Sequence, residues 1–257
     1  MKSFFRPARR PDPAILREHR PAIRSLQRRG LLRQGISLGA LALLTGCDAG
    51  DSDAIGAALQ RFSRLNDRVQ AWIFDPRKLA PTYPASMVLK PPRFNAYYDI
   101  TEVKPVDGAG WRLELSGLIE DRAPWTATRL AALPQEEMVI RHICVEGWDY
   151  IGQWSGVPLG DFLRRIGADT RARYVNFQTA DDYPSSIDMA TALHPQTLLA
   201  TRYAGEELPD PFGYPLRLRT STKLGFKNPK WITAIEVTNH YSPGYWEKLG
   251  FNWFSGL

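Results

Sequence analysis

Cys144 and Glu146 are the two side chains of this sequence best suited to chemistry. A cysteine thiolate binds soft metals and attacks electrophiles, and a carboxylate two residues away can carry protons beside it. Cys144 lies near the end of an apolar, β-branched run, Met138 to Val145, which predicts a buried strand. If this strand continues, Glu146 shares a face with Cys144. The alternative is that Cys144 is one more buried apolar residue, as free cysteines often are.

The elements that follow must position this thiol. Ser155-Gly156 predicts a turn, which leads through Pro158 into a short helix, Leu159 to Ile166, ended by Gly167. Alternating patterns predict further strands at residues 111–115 and 231–238, and a strand that runs into a polar loop is expected at 174–183. The cysteine is therefore expected where a strand end meets a glycine-containing turn.

The cysteine segment resembles a known family. R-H-I-C-V-E-G-W, followed by W-S-G-V-P-L-G-D-F-L, is similar to the molybdenum-ligand segment of the sulfite oxidase superfamily, and most similar to periplasmic methionine sulfoxide reductase catalytic subunits. In that family, the cysteine matching Cys144 gives its thiolate to the molybdenum of a molybdopterin cofactor. The resemblance covers roughly residues 92–257. It implies one molybdenum-molybdopterin per chain and a single catalytic domain of the α+β class, with mixed twisted sheets and short helices.

The same resemblance implies a set of pterin contacts. Residues 93–99, R-F-N-A-Y-Y-D, are similar to a pterin-contacting segment, and residues 213–217 and 225–230 resemble the family elements G-x-P-x-R and G-F-K-x-x-K. The cofactor-binding positions implied are Asn95, Tyr98, Asp99, Cys144, Thr179, Phe212, Arg217, Lys227, Asn228 and Lys230. Phe212 departs from the pattern, since the family usually has a hydrogen-bonding asparagine or histidine there. One pterin contact is thus expected to be lost or to come from the backbone.

Three of these residues also have a physical reason to bind a phosphate. A pyranopterin ends in a phosphate or a dinucleotide pyrophosphate, which needs fixed cations and backbone N–H donors. Arg217 offers a bidentate fork, and Lys227 and Lys230 offer point charges beside a glycine-containing turn. Without the resemblance, a solvated basic loop would explain these residues equally well.

The activity implied by the resemblance is transfer of an oxygen atom to or from a sulfur centre, by a molybdenum that cycles between Mo(IV) and Mo(VI). Cys144 is the expected metal ligand and Glu146 the expected proton-handling group, while Trp148 and Tyr150 either shape the substrate mouth or belong to the core. Methionine sulfoxide in envelope proteins is the first expected substrate. Electrons are expected from a haem-containing, quinol-linked partner in the membrane.

Three alternatives stay open. The enzyme could run in the opposite direction, as a sulfite dehydrogenase. It could be a lipid-anchored binding module that has lost the cofactor, or a thiol enzyme in which His142 activates Cys144. The thiol enzyme is disfavoured because Cβ atoms two residues apart on a strand lie roughly 7 Å from each other.

The first 46 residues predict an export signal. Arg28-Arg29 begins a twin-arginine pattern, and the apolar run at 36–44 is shorter than the ~20 residues that span a bilayer. Leu44-Thr45-Gly46-Cys47 resembles a lipobox, in which Cys47 is lipidated. These signals predict export of the folded protein by the twin-arginine route and lipid anchoring on the periplasmic side of the inner membrane. Asp48 resembles an inner-membrane retention signal.

Charge and cysteine content exclude several classes. The chain carries +6, but residues 1–46 hold ten basic and two acidic residues, which leaves 23 basic and 25 acidic residues and a net charge of about −2. This is not the charge of a nucleic-acid-binding domain. The chain has two cysteines, so lipidation of Cys47 would leave none to form a disulfide with Cys144. It has no C-x-x-C-H motif, so no covalently bound haem is expected. Electrons must then come from a partner.

The predicted domain organisation has three parts: a signal peptide at 1–46, a helix and proline-rich arm at 47–89, and the molybdopterin-binding domain at 90–257. Apolar residues recur at three- and four-residue steps from Ser52 to Phe74, which predicts an amphipathic helix. Its apolar stripe is expected to dock on the domain. Membrane binding is the less favoured alternative, because the charged residues of the helix, Arg61, Arg64, Asp67 and Arg68, carry both signs. About 210 residues suffice for one domain, and a monomer is expected.

Overall fold

The computed structural model describes residues 52–257. The predicted export signal and Cys47 lie outside this range and stay predictions, as do the three predicted domain limits. Residues 62–257 form one compact unit. The strands are β1 (Arg112–Gly117), β2 (Trp125–Thr126), β3 (Glu136–Ile143), β4 (Asp149–Pro158), β5 (Tyr174–Thr179), β6 (Ser185–Asp188), β7 (Thr197–Tyr203), β8 (Glu206–Glu207), β9 (Arg217–Thr220) and β10 (Ile232–Thr238). The α-helices are α1 (Ser52–Ile73), α2 (Ala127–Ala131), α3 (Leu159–Arg165), α4 (Met189–Ala192) and α5 (Tyr245–Lys248).

Two sheets make up the fold. The first has the order β2-β1-β10-β5-β6, in which β1 and β10 run parallel and the other neighbours antiparallel. The second has the order β3-β4-β7-β8, with β9 also paired to β7, and is antiparallel throughout. Strand β10, the last in sequence, pairs with β1 in the first sheet, and all strands of the second sheet lie between these two in the sequence.

The main core contains residues from both sheets and from helix α3. Leu113, Phe162, Phe177, Leu199 and Ile235 are completely buried in one cluster. Removing each such side chain from water contributes about 1.5–3 kcal/mol. The sheets are thereby held as a rigid frame for the loops at their strand ends.

The β3–β4 hairpin differs from the sequence prediction. Strand β3 ends at Ile143, and Ser155 and Gly156 lie inside strand β4 rather than in a turn. Gly156 is needed for a different reason, because a Cβ there would lie 2.1 Å from the carbonyl oxygen of Leu199 on strand β7. The predicted turn is wrong, and a close approach between strands, with a bulge in the β4–β7 pairing, explains the glycine.

Helix α1 is attached by polar side chains. The Asp67 carboxylate oxygen Oδ1 accepts hydrogen bonds from Asn252 Nδ2 at 2.7 Å and from the Phe254 backbone N–H at 2.8 Å. Gln70 Oε1 accepts from the backbone N–H of Gly256 at 3.2 Å. The helix is therefore held on the C-terminal segment by charge-assisted and neutral hydrogen bonds.

The apolar stripe of this helix faces solvent. Phe62, Leu65, Val69 and Trp72 keep 62, 55, 47 and 84% of their surface exposed. The expectation that this stripe docks on the domain is wrong, because the polar side of the helix, with Asp67 and Gln70, contacts the domain instead. No helix in residues 52–257 is long and apolar enough to span a bilayer.

Candidate active site

A cavity of about 240 Å³ lies beyond the end of strand β3. Its wall is drawn from segments far apart in sequence: residues 95–97, 144–146, 181–183, 225–230 and 246–251. Cys144 and Lys230 both line it, and so do aromatic rings including Tyr183 and Trp246. The cavity thus combines a thiol, a cation and apolar walls, as small-molecule sites do.

A tight turn places Cys144 at this cavity. The Cys144 backbone N–H donates to the Trp148 carbonyl at 2.9 Å, and the Gly147 N–H donates back to the Cys144 carbonyl at 3.2 Å. Gly147 has a φ of +87°, a left-handed conformation that L side chains rarely adopt. The turn fixes Cys144, which is 8% exposed, at the strand end.

Glu146 reaches the thiol by way of the turn. Its Oε2 lies 3.8 Å from Cys144 Sγ and accepts a 2.6 Å hydrogen bond from Trp148 Nε1. The strand does not continue to Glu146, so the reason given for a shared face is wrong although the two groups do meet. Burial, helped by the Glu146 charge, raises the pKa of the Cys144 thiol. A bound metal cation would reverse this, because it favours the thiolate.

Two buried arginines lie on one face of strand β9. Arg217 and Arg219 are each 1% exposed. Arg217 NH1 donates to the Phe212 carbonyl at 2.9 Å, while its Nε and NH2 and the Nε of Arg219 have no partner among the described residues. Burial lowers the pKa of both guanidinium groups, that of Arg219 to about 10. Buried donors without a partner indicate a polar group that the protein alone does not supply.

Lys230 adds a third such cation. It is 7% exposed, and its Nζ donates to the Pro211 carbonyl at 3.3 Å. Burial, followed by the Arg217 charge, lowers its pKa to about 6. Within residues 52–257, Arg217, Arg219 and Lys230 form no ion pair with a carboxylate. An anion bound here would offset a large desolvation cost.

His142 is a further buried group with open hydrogen-bonding capacity. It is completely buried, and neither ring nitrogen has a partner in the described part of the chain. Its ring stacks on Tyr150 at 5.0 Å and on Trp148 at 5.8 Å. Burial and the nearby arginine charges hold its pKa well below the ordinary value. The imidazole is therefore neutral, with one donor and one acceptor available.

The donor set fits a metal that brings its own organic ligands. Nowhere in residues 52–257 do three His, Cys, Asp or Glu side chains gather as a metal site would need. Cys144 is thus the single thiolate available at the cavity, and other ligands would have to come from a cofactor. A molybdopterin has two dithiolene sulfurs for the metal and a phosphate for the buried cations, so the residues fit this group.

Comparison with known proteins gives the same result. The family described as "Oxidoreductase molybdopterin binding domain" matches residues 100–246. The chain belongs to this molybdopterin-binding family. It is 56% identical over 229 residues, 89% of this chain and 87% of the relative, to the "Putative protein-methionine-sulfoxide reductase subunit YedZ1" of Azospira oryzae. The predicted family membership is confirmed.

More distant relatives agree over a shorter span. The chain is 35% identical over 155 residues to the "Protein-methionine-sulfoxide reductase catalytic subunit MsrP" of Xanthomonas campestris pv. campestris, which covers 54% of this chain and 48% of the relative. The match thus spans about half of that relative. Sulfane dehydrogenase SoxCD from Paracoccus pantotrophus superposes with a TM-score of 0.50 at 20% identity, covering 54% of this chain and 40% of that one. This likeness and the family match confirm the α+β molybdopterin-binding fold.

Some of the predicted cofactor contacts of this family member line the cavity. Asn95, Cys144, Asn228 and Lys230 are among its lining residues, and so is Glu146, the predicted proton-handling group. The Asn228 side chain also organises the loop, because its Oδ1 accepts from the Thr220 backbone N–H at 2.7 Å and from Arg219 NH1 at 3.1 Å.

Other predicted contacts already have protein partners. Tyr98 donates its hydroxyl to Asp181 Oδ2 at 2.9 Å, and Thr179 Oγ1 accepts from the Tyr183 N–H at 2.8 Å. The exposed Asp99 carboxylate caps the 3-10 helix Ile100–Glu102. These contacts position the loops around the cavity. Direct binding by these three residues stays a prediction.

Lys227 and Phe212 also have partners within the protein, and direct cofactor binding by them stays a prediction. The Lys227 ammonium is buried and forms an ion pair with Glu247, so its charge is already neutralised. The Phe212 ring packs against Phe94, and its carbonyl accepts from Arg217. Among the three expected phosphate-binding cations, Arg217 and Lys230 are unpaired and Lys227 is not.

The sequence reasoning did not include Arg219, and it considered His142 only as the base of a thiol enzyme. Arg219 follows Arg217 by two residues on strand β9, and His142 precedes Cys144 by two at the end of strand β3. Residues two apart on a strand share a face. This spacing was the signal that could have identified both.

Proposed function

We propose that this protein is a molybdopterin-dependent oxidoreductase that removes the oxygen atom from sulfoxides, and first of all from methionine sulfoxide in proteins. Its chemistry is supported by one observation above all: Cys144 and the buried Lys230 line the same cavity, while Arg217 and Arg219 are buried on strand β9 with no acidic partner among residues 52–257. The relatives named as protein-methionine-sulfoxide reductases support the direction of the reaction.

The chain's own residues have distinct tasks in this proposal. When bound, the cofactor would supply the two-electron chemistry of oxygen-atom transfer. Cys144 holds the metal, while Arg217, Arg219 and Lys230 bind the anionic end of one cofactor per chain. Reduction of a sulfoxide to a thioether and water consumes two protons and two electrons. Glu146, whose Oε2 lies 3.8 Å from the thiol, is proposed to relay protons for this step.

Apolar side chains around the cavity suit the thioether product. Val145, Tyr97 and Phe251 line it and remain 40, 40 and 36% exposed. Such a wall solvates a methionine side chain better than the doubly charged sulfite ion, which would need cations at the mouth. Contacts with these three partly exposed side chains would add binding energy for a sulfoxide that is carried on a larger molecule.

The electron donor and the cellular location belong to the same proposal. The described residues contain no cluster for a second metal centre, so a haem-containing, quinol-linked membrane protein is proposed as the donor. The twin-arginine pattern and Cys47 support export of the folded enzyme and lipid anchoring on the periplasmic side of the membrane. The protein is proposed to act as a monomer on this partner.

Metal and pterin analysis of the purified protein tests this function. We expect about one molybdenum per chain and the fluorescence of oxidised pterin after denaturation. The loaded enzyme is expected to reduce a methionine sulfoxide peptide with a chemical electron donor, and to oxidise sulfite much more slowly. Faster sulfite oxidation would reverse the proposed direction. Protein free of molybdenum from a host that makes the cofactor would indicate a binding module instead.

A further inference from the structure

Helix α1 has an apolar face that nothing in the described chain covers. We call this the outer face and define it by Phe62, Leu65, Val69, Trp72 and Ile73. These side chains are between 47 and 84% exposed, with Trp72 the most exposed. Contiguous apolar surface of this kind marks an interaction site in soluble domains.

The charges of the same helix are sorted between its two sides. Asp67, the single acidic residue between Phe62 and Ile73, points towards the C-terminal segment, where Asn252 and Phe254 bind its carboxylate. Arg64 and Arg68 are exposed, and at 100° per residue they lie along one edge of the outer face. The acidic residue of this part of the helix therefore faces the domain, and the two arginines face solvent.

An apolar face with Trp and Phe, bordered by arginines, has the pattern of a helix that lies in a membrane interface. Arginines at such an edge pair with lipid phosphates, and tryptophan is enriched at the level of the headgroups. We propose that the outer face of α1 lies in the surface of a bilayer that contains anionic phospholipid, with Arg64 and Arg68 on the headgroups. This inference does not depend on the reductase chemistry.

Charge selects a lipid surface over a second copy of the chain. The outer face of a second copy offers Arg64 and Arg68 no carboxylate, because Asp67 is bound to Asn252 and Phe254, whereas anionic headgroups complement both arginines. The helix also begins five residues after Cys47, so the proposed lipidation of that residue would hold the helix next to a bilayer. Because Asp67 and Gln70 fix the helix to residues 252–256, contact with lipid would set the orientation of the whole domain.

Quenching of Trp72 by brominated lipid tests this placement. The probe is the full-length Cys47→Ser protein, which cannot be acylated, mixed with vesicles of phosphatidylglycerol and acyl-brominated phosphatidylcholine in equal parts. Residues 1–46 contain no tryptophan, so the predicted leader adds no signal even if it binds the vesicle. We expect quenching that disappears in Trp72→Phe. Vesicles without brominated chains correct for scattering.

Matched variants separate the outer face from other surface. A Leu65→Gln/Val69→Gln/Ile73→Gln protein is expected to lose the Trp72 quenching while keeping its thermal midpoint, since these side chains are exposed. Leu118→Gln, which removes an exposed leucine elsewhere, is expected to change nothing. Arg64→Gln/Arg68→Gln is expected to weaken the interaction of the helix with phosphatidylglycerol vesicles about 30-fold, from about a factor of five for each basic residue.

Two results would overturn the inference. Quenching that persists in the triple variant, or is absent in the parent protein, would show that the outer face does not enter lipid. A concentration-dependent dimer in light scattering that the triple variant abolishes would instead assign the face to a second copy of the chain. Neither result would alter the metal and pterin analysis, so the proposed function is tested separately.

Discussion

At the residue scale, the chemistry of this protein depends on the isolation of Cys144. A lone buried thiol with a raised pKa is a poor nucleophile, because the thiolate is the reactive form. His142 does not activate it, since neither ring nitrogen of His142 has a hydrogen-bond partner in the described chain. The same isolation suits a soft metal ligand, because the metal itself supplies the charge that the thiolate needs.

Replacing Cys144 by serine is expected to abolish activity with little effect on the fold. A hydroxyl is a poor ligand for a metal that prefers thiolate, and loss of a ligand should cost more than the 10–100-fold typical of residues that only support one. Molybdenum content, sulfoxide reduction and thermal unfolding of Cys144→Ser should be measured together, with Thr179→Ser as a conservative control. An active variant with a full complement of molybdenum would refute the ligand assignment.

Arg217→Met is expected to act in opposite directions on cofactor binding and on stability. The substitution removes a phosphate-binding fork, so cofactor occupancy should fall about tenfold or more. It also removes a buried cation without an acidic partner, so the cofactor-free protein should be as stable as wild type or more stable. Arg164→Met is the control, because that guanidinium is exposed and pairs with Asp161. Unchanged occupancy with reduced stability would make Arg217 a structural residue.

Lys230 is expected to give the cofactor-free protein a specific pH dependence. Its pKa is about 6 in the folded protein, against an ordinary value of 10.5 in the unfolded chain. Between these values the unfolded state binds more protons, so the contribution of Lys230 to stability rises with pH. The difference in unfolding free energy between wild type and Lys230→Met should therefore shift in favour of wild type from about pH 6 to about pH 10. A flat difference would mean that Lys230 stays charged when folded.

At the element scale, the close approach of strands β4 and β7 sets the position of the Cys144 turn. A side chain at Gly156 would meet backbone atoms, with Leu199 O at 2.1 Å and Ala200 Cα at 2.6 Å. Neither atom can move without disturbing the sheet. The strand that pairs with β3, and so holds the cysteine turn in register, depends on this glycine.

Gly156→Ala is expected to destabilise the protein by about 1–3 kcal/mol, since overpacking forces backbone shifts. The thermal midpoint should fall by several degrees. Gly160→Ala is the matched control, because a Cβ there would meet Leu193 Cα at an ordinary 3.4 Å and alanine favours the helix. Equal stability of the two variants would contradict the strand packing described above.

At the scale of the whole molecule, the buried positive charge links folding to the cofactor. Arg217 and Arg219 are buried as cations on strand β9, and burial with the Arg217 charge lowers the pKa of Lys230 to about 6, so the desolvation of these groups opposes folding until an anion binds. A ligand that binds only the folded state stabilises it in proportion to the logarithm of its concentration over Kd.

Removal of the cofactor is therefore expected to lower the thermal midpoint markedly. In the cofactor-free protein, phosphate should restore part of this loss, whereas chloride at the same ionic strength should not, because only phosphate can accept several directed hydrogen bonds. Thermal scans of both forms in the two salts would measure this. Equal effects of the two anions would indicate general screening rather than a built phosphate site.

Much of the candidate site could be predicted from the sequence. The apolar pattern predicted the strand that leads to Cys144, and the resemblance to the family implied the fold class, Cys144 as the candidate metal ligand, and Arg217 and Lys230 as candidate contacts of the cofactor. Local patterns sufficed to predict the strands near residues 111–115 and 231–238, because strand alternation acts over short distances along the chain. The amphipathic period of helix α1 was visible for the same reason.

Only the tertiary structure decided which partners these side chains meet. It paired Lys227 with Glu247, and among residues 52–257 it left the ring nitrogens of His142 without a hydrogen bond and Arg219 without an acidic partner. It also moved the turn from Ser155-Gly156 to the residues after Cys144 and turned the apolar side of α1 outwards. Each outcome depends on a residue distant in sequence: Glu247 for Lys227, Leu199 for Gly156, and Asn252 for Asp67. Periodicity shows that a helix has two faces. Which face is buried depends on the hydrogen bonds and packing that the rest of the chain offers.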